Sequence, residues 1–142
     1  MMNKLNVLFL CTGNTARSQM AEALLRKYAG DRFNVYSAGI EPGVFNPFTR
    51  QVLEEIGINT SEQYSKGVEV YLGKLHFAYL VTVCARAEER CPTVFPGVGK
   101  RQHWAFDDPA AVEGSDELKL REFRRVRNEI DARVQAWLNE DL

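Results

Sequence analysis

Long apolar runs are missing from this sequence. The first, Val7 to Leu10, is far too short for a signal-peptide core or a membrane span, and it opens directly into a glycine-containing loop. The protein is expected to be soluble and cytoplasmic, with no membrane partner. An excess of one charge is missing too. Lysine and arginine number 18 against 19 aspartates and glutamates, a net charge of -1, so no broad field favours nucleic acid, and any anion site has to be built locally. Histidine is scarce: His76 and His103 are the two present, and with Cys84 and Cys91 they complete no known zinc spacing. Neither metal nor cofactor is expected. Cysteines number 3, an odd count, and a composition 45% hydrophobic supports a core without staples, which excludes a secreted disulfide scaffold. Cysteines in a reducing compartment are more often buried, metal-binding or catalytic. No repeat, linker or low-complexity tract divides the 142 residues, so one domain is expected, as a monomer.

What is present alternates. Lys4 to Leu10 reads as a buried strand because its apolar residues run continuously. Ser18 is placed as the N-cap of a helix in which Met20, Ala21, Leu24, Leu25 and Tyr28 recur at helical spacing until Gly30. Phe33 to Ala38 is a second strand, Pro47 to Ile56 a helix stopped at Gly57, and Phe77 to Cys84 a third strand rich in aromatic and β-branched residues. Pro92, Pro96, Gly97 and Gly99 make Arg86 to Lys100 a loop, carrying Cys91. Gln102 to Phe106 is a short fourth strand. Glu117 to Leu138 is the longest helix, with Leu120, Phe123, Val126, Ile130, Val134 and Trp137 three or four apart. The alternation predicts a doubly wound α/β domain: a mostly parallel four-stranded sheet flanked by helices, with ligands bound beyond the carboxyl ends of the strands.

Cys11-Thr12-Gly13-Asn14-Thr15-Ala16-Arg17-Ser18 places a thiol at the start of a small loop and a guanidinium where the next helix begins. Backbone N–H groups of the loop and the helix N-terminus suit a tetrahedral oxyanion, and Arg17 adds charge-assisted hydrogen bonds. The same field lowers the pKa of a cysteine, which predicts a Cys11 thiolate nucleophile with Ser18 as a further donor to it. An isolated cysteine in this position would read as a small buried residue ending a strand. The glycine, the spacing to Arg17 and the strand-to-helix context favour the chemical reading.

This loop, following an apolar strand, resembles the phosphate-binding loop of low-molecular-weight protein tyrosine phosphatases. The longer string Cys-Thr-Gly-Asn-x-x-Arg-Ser-Gln-Met-Ala-Glu over 11 to 22, with Tyr36-Ser37-Ala38-Gly39 and His103-Trp104-Ala105-Phe106-Asp107-Asp108-Pro109, resembles the thioredoxin-coupled arsenate reductases that share that fold. The resemblance covers nearly the whole chain and is loose from Ile58 to His76. It implies that Asp108, immediately before proline, is the general acid. Proline restricts the aspartate's backbone to extended conformations. Asp107 is the adjacent competitor and takes the role of turn or helix cap.

The resemblance also gives the other two cysteines a use. Reduction of arsenate needs two electrons, which a pair of thiols ending as a disulfide supplies. Cys11 would form an arseno-thiol adduct, Cys84 would attack Cys11 as arsenite leaves, and Cys91 would attack Cys84, leaving a disulfide for thioredoxin to reduce. Some relatives bind potassium through residues matching Asn14, Glu22, Ser37 and an acidic side chain where this chain has Lys66. A lysine there replaces the cation, unless it is an ordinary solvated side chain. Ala110 and Ala111 stand where many tyrosine phosphatases have paired tyrosines, which favours a small inorganic anion, arsenate or phosphate. Trp104 and Phe106 are assigned to the core. Two alternatives to the reductase stay open: a phosphatase using Cys11, Arg17 and Asp108, and a non-catalytic anion or redox sensor.

Overall fold

The computed structural model describes residues 4–71, 73–84 and 98–140. Its strands are β1 (Leu5–Cys11), β2 (Phe33–Gly39), β3 (Phe77–Thr82) and β4 (Val98–His103). Helices α1 (Arg17–Ala29), α2 (Pro47–Glu54) and α3 (Asp116–Leu138) follow β1, β2 and β4, with short 3-10 turns at Val68–Val70 and Pro109–Ala111. β1 is central because Val7 through Leu10 are fully buried, the signature of a strand covered on both faces. The sheet has the order β2-β1-β3-β4, and every pairing is parallel. The chain therefore leaves β1 towards one edge and later crosses back to the other. That reversal opens a crevice at the carboxyl ends of β1 and β3. Cys11 ends β1, and Cys84 lies just beyond β3.

Packing fixes this frame. Trp137 of α3 is fully buried among Phe33, Tyr79 and Trp104, at ring separations of 5.4, 5.1 and 6.0 Å, and Phe9 packs on Trp104 at 5.7 Å. Each such side chain contributes about 1.5–3 kcal/mol by leaving water. Trp104 is thus core, as the sequence predicts, with Arg133 stacked over its ring at 4.5 Å. α2 starts with the Asn46 side chain accepting from Phe48 N at 2.8 Å. α3 starts with Ser115 accepting from Leu118 N at 3.2 Å, and Asp116 and Glu117 complement its dipole. Glu55, just past α2, binds Arg124 and Arg127 of α3, joining the two helices.

The expected parallel α/β sheet is observed, with three differences in its parts. The fourth strand is Val98–His103, earlier than predicted, so Val98, Gly99 and Lys100 are strand and not loop; residues 85–97, including Cys91, lie outside the described part. β4 was illegible because it is a lateral strand with mostly exposed side chains and therefore lacks apolar alternation. Gly99, read as a loop signal, is instead a close approach: a Cβ there would sit 2.9 Å from the carbonyl oxygen of Ala78. β3 stops at Thr82, which leaves Cys84 outside the strand. Finally, Ser18 is inside α1; the N-cap is Ala16, which has no capping side chain.

Candidate active site

The loop between β1 and α1 is held by its carbonyls. Ile40 N donates to Cys11 O at 3.1 Å, Glu41 N to Thr12 O at 2.8 Å, Gly43 N to Gly13 O at 2.9 Å and Asn46 N to Thr15 O at 3.2 Å. Ser65 Oγ donates to Asn14 O at 2.7 Å, and the α1 bond from Met20 N takes Ala16 O at 2.8 Å. Six consecutive carbonyl dipoles are thereby turned away from the pocket, leaving the amide edge of the loop to face it. The uncapped start of α1 adds its own N–H groups to that edge. Gly39 makes this possible, since a Cβ there would meet Thr12 O at 2.8 Å and Gly13 C at 2.9 Å.

Asn14 is the pivot. It has φ 55, a left-handed conformation that asparagine tolerates better than most residues. Its buried Oδ1 accepts from Gln19 Nε2 at 3.0 Å and Lys66 N at 3.1 Å, while its Nδ2 donates to Ser18 Oγ at 2.8 Å. Asn14 and Ser18 are therefore fixtures behind the loop, and Ser18 bonds to Asn14 rather than to Cys11. Lys66 is no solvated side chain. Only 9% exposed, it brings Nζ to 3.1 Å from Tyr64 O, 3.5 Å from Asn14 Oδ1 and 3.9 Å from Glu22 Oε1. Ser37 Oγ donates to the same Glu22 oxygen at 2.9 Å. Burial pushes the Lys66 pKa down, and Glu22 opposes that. The Lys66 side chain thus lies behind the loop, between Asn14 and Glu22.

A pocket of about 240 Å³ opens over this edge, lined by Cys11, Thr12, Gly13, Thr15, Ala16, Arg17 and Asp108. Arg17 Nη1 donates to Phe106 O at 3.0 Å, and its Nη2 lies 3.7 Å from Asp108 Oδ2. Asp108 is extended, φ -83 and ψ 106, as the following proline requires. The division of labour between the aspartates differs from the sequence reading. Asp108 itself caps the 3-10 turn, its Oδ1 accepting from Ala110 N at 3.0 Å, and its other oxygen faces Arg17. Asp107 points away and pairs with Arg125 of α3 at 3.2 Å. Pro109 lacks an N–H, so the first amide within reach of a cap is that of Ala110, and the residue before the proline reaches it. The Phe106 carbonyl is a site group that the sequence did not single out, because a backbone acceptor leaves no side-chain signal.

Behind Cys11 stands Cys84. Both thiols are buried and reduced, with Sγ atoms 3.1 Å apart, and Thr12 Oγ1 lies 3.3 Å from Cys84 Sγ. The sequence predicts a lowered Cys11 pKa; the structure raises it. Cys11 holds its proton in a hydrogen bond to Cys84, and burial adds to the effect. Arg17 and the Thr12 N–H act in the predicted direction and are outweighed. A Cys11 thiolate therefore requires Cys84 to turn away or to take the proton.

The chain matches the model of the family described as low molecular weight phosphotyrosine protein phosphatase over residues 6–142. It is 50% identical over 137 residues to an arsenate reductase of Halalkalibacterium halodurans and 49% identical over 137 residues to one of Bacillus licheniformis, covering 96% of each chain in both cases. Among solved structures it is similar to a Corynebacterium glutamicum thioredoxin-dependent arsenate reductase, with TM-score 0.69 and 30% identity over 95% of this chain and 60% of that one. An oxyanion loop at the end of β1, an aspartate-proline turn across from it and a match running the length of the sheet together carry one conclusion: the chain belongs to the low molecular weight phosphotyrosine protein phosphatase family.

Proposed function

We propose that this protein reduces arsenate to arsenite in the cytoplasm and is regenerated by thioredoxin. The observation that carries the reading is the second thiol 3.1 Å from the nucleophile, which hydrolysis of a phosphoester does not need. Relatives about half identical and named arsenate reductase support the substrate, and a structural relative named thioredoxin-dependent supports the reductant. Among the described residues no helix is long and apolar enough to cross a membrane.

In this mechanism the loop amides from Thr12 to Arg17 and the Arg17 guanidinium hold the arsenate oxygens, Cys84 turns away as the Cys11 proton passes to the oxygen that will depart, and Cys11 attacks arsenic. Asp108 protonates the departing oxygen, which leaves as water from a Cys11–arsenic adduct. Cys84 then attacks Cys11 Sγ. The sulfur–arsenic bond breaks with its electron pair remaining on arsenic, arsenite departs, and the two thiols end as a disulfide. Cys91 attacks Cys84 in turn and frees Cys11; this step needs their Cα atoms within about 7 Å. A dithiol protein of the thioredoxin class closes the cycle.

The test is NADPH consumption with thioredoxin, thioredoxin reductase and arsenate. Turnover lost in both Cys84→Ser and Cys91→Ser supports the relay. Sustained turnover by Cys91→Ser would sink it. A second reading, a phosphatase using Cys11, Arg17 and Asp108, is favoured by the lining of the pocket, which contains all three. Brisk aryl phosphate hydrolysis indifferent to Cys84 and Cys91, with no arsenate-dependent turnover, would establish that instead.

A further inference from the structure

A second cavity, of about 250 Å³, shares no residue with the pocket over the loop. One wall is Ala23, Arg26 and Lys27, which present one face of α1 because they stand three and four residues apart, and the other is Ile58, Asn59 and Gln63. A chain of side-chain amides leads from it to the loop. Gln63 Nε2 donates to Gln19 O at 3.1 Å and to Gln19 Oε1 at 3.0 Å. Gln19 Nε2 donates in turn to Asn14 O at 3.1 Å, Asn14 Oδ1 at 3.0 Å and Tyr64 O at 2.8 Å. The direction of this chain is fixed, since two of the atoms facing the Gln19 nitrogen are backbone carbonyls, which only accept. Gln19 must turn its oxygen to Gln63, and Gln63 its nitrogen to Gln19. The Gln63 amide oxygen is left at the outer end, buried and with no hydrogen-bond partner among the described residues, a costly state for an acceptor. The charges of the cavity are also uneven. Arg26 is committed to Glu22 at 3.2 Å and to the Val35 carbonyl at 2.6 Å. Lys27 lies over the Tyr28 ring at 5.4 Å, and among the described residues no carboxylate pairs with it.

We propose that this cavity binds a small organic monoanion with an apolar body and a hydrogen-bond donor, of the hydroxyaryl carboxylate class. The carboxylate pairs with Lys27, the ring lies on Ala23 and Ile58, and the hydroxyl donates to Gln63 Oε1. The need for a donor follows from the direction of the amide chain: its free end is an acceptor, and a ligand without a donor leaves it bare. The same hydrogen bond acts beyond the cavity. It favours the orientation of Gln63 in which the nitrogen faces Gln19, and that orientation holds Gln19 against Asn14, the residue on which the oxyanion loop turns. The cavity ligand and an oxyanion in the loop therefore strengthen one another's binding, by the same factor in each direction. The site stands whichever reaction the loop performs.

The experiment titrates the full reduced chain with para-hydroxybenzoate, with benzoate and phenol as controls that lack the donor and the charge. In NMR spectra of the amide groups, para-hydroxybenzoate should give saturable shifts at Ile58, Asn59 and Gln63, and should bind about tenfold more tightly than benzoate. Lys27→Gln should weaken that binding severalfold, and less in high salt. Gln63→Met should bring para-hydroxybenzoate and benzoate to one affinity, a comparison made within a single variant and so insensitive to any loss of stability. With phosphate saturating the loop, para-hydroxybenzoate should bind more tightly than without it. Absence of saturable shifts at Ile58 and Gln63, equal affinities for the three probes, or shifts confined to residues 11–17 and abolished by phosphate would overturn the site. Binding indifferent to phosphate would overturn its link to the loop.

Discussion

Residues 11–17 and residues 106–109 face one pocket from opposite sides and are held in different ways. The oxyanion loop is tied by a run of backbone bonds to the segment 40–46 and by the Asn14 side chain, which is wholly out of solvent. The Asp108 segment is tied by side chains: Arg17 grips the Phe106 carbonyl from inside the pocket, and Arg125 grips Asp107 from α3 outside it. A run of backbone bonds backed by a buried side-chain network holds a geometry whether or not a ligand is present. Exposed ion pairs contribute little and exchange with water. A preformed anion cradle thus faces a more adjustable aspartate, Asp108. An incoming oxyanion competes with Asp108 and the Phe106 carbonyl for Arg17, so binding at one wall loosens a contact of the other.

Four substitutions probe that contrast, and the largest effect falls on the acid. Asp108→Asn should lower turnover roughly 10²- to 10⁴-fold, the usual worth of a positioned general acid, while leaving phosphate affinity nearly unchanged; steady-state rates and phosphate inhibition check this. Asn14→Ala should cost about 3 kcal/mol in a denaturant melt, from a left-handed alanine and the buried Lys66 N–H left without its acceptor, and should weaken phosphate binding as well. Cys84→Ala should move the pH midpoint of Cys11 alkylation downward. The largest influence raising the Cys11 pKa disappears, while Arg17 and the Thr12 N–H continue to lower it. Cys11 is then ionised over a pH range in which the unmutated chain keeps it protonated, and iodoacetamide labelling near neutral pH becomes faster. Arg125→Ala should lower turnover less than about tenfold, the effect fading with added salt. A larger loss from Arg125→Ala than from Asp108→Asn would invert the contrast.

Much of this was legible in the chain, and the failures share a cause. β1, its loop and α1 were readable because a continuous apolar run, a glycine and an arginine each carry a local signal. The long α3 was readable because its buried residues recur at helical spacing. β4 was misplaced because only pairing with β3 makes Gly99, Lys100 and Arg101 a strand. The capping roles at Ser18 and Asp108 were misassigned because a cap is decided by which amide lies within reach. The raised Cys11 pKa was not readable at all, since Cys84 is 73 residues away and its approach is a product of the parallel pairing of β1 with β3.

Lys66 under the loop has one more consequence. A dissolved ion that braces a loop obeys mass action: its occupancy follows its concentration, and the loop's firmness follows its occupancy. An ammonium carried on the chain has no off-rate and no rival. The brace stays in place in whatever salt surrounds the protein, is set once when the chain folds, and gives up its charge only as pH rises through a Lys66 pKa that burial has lowered.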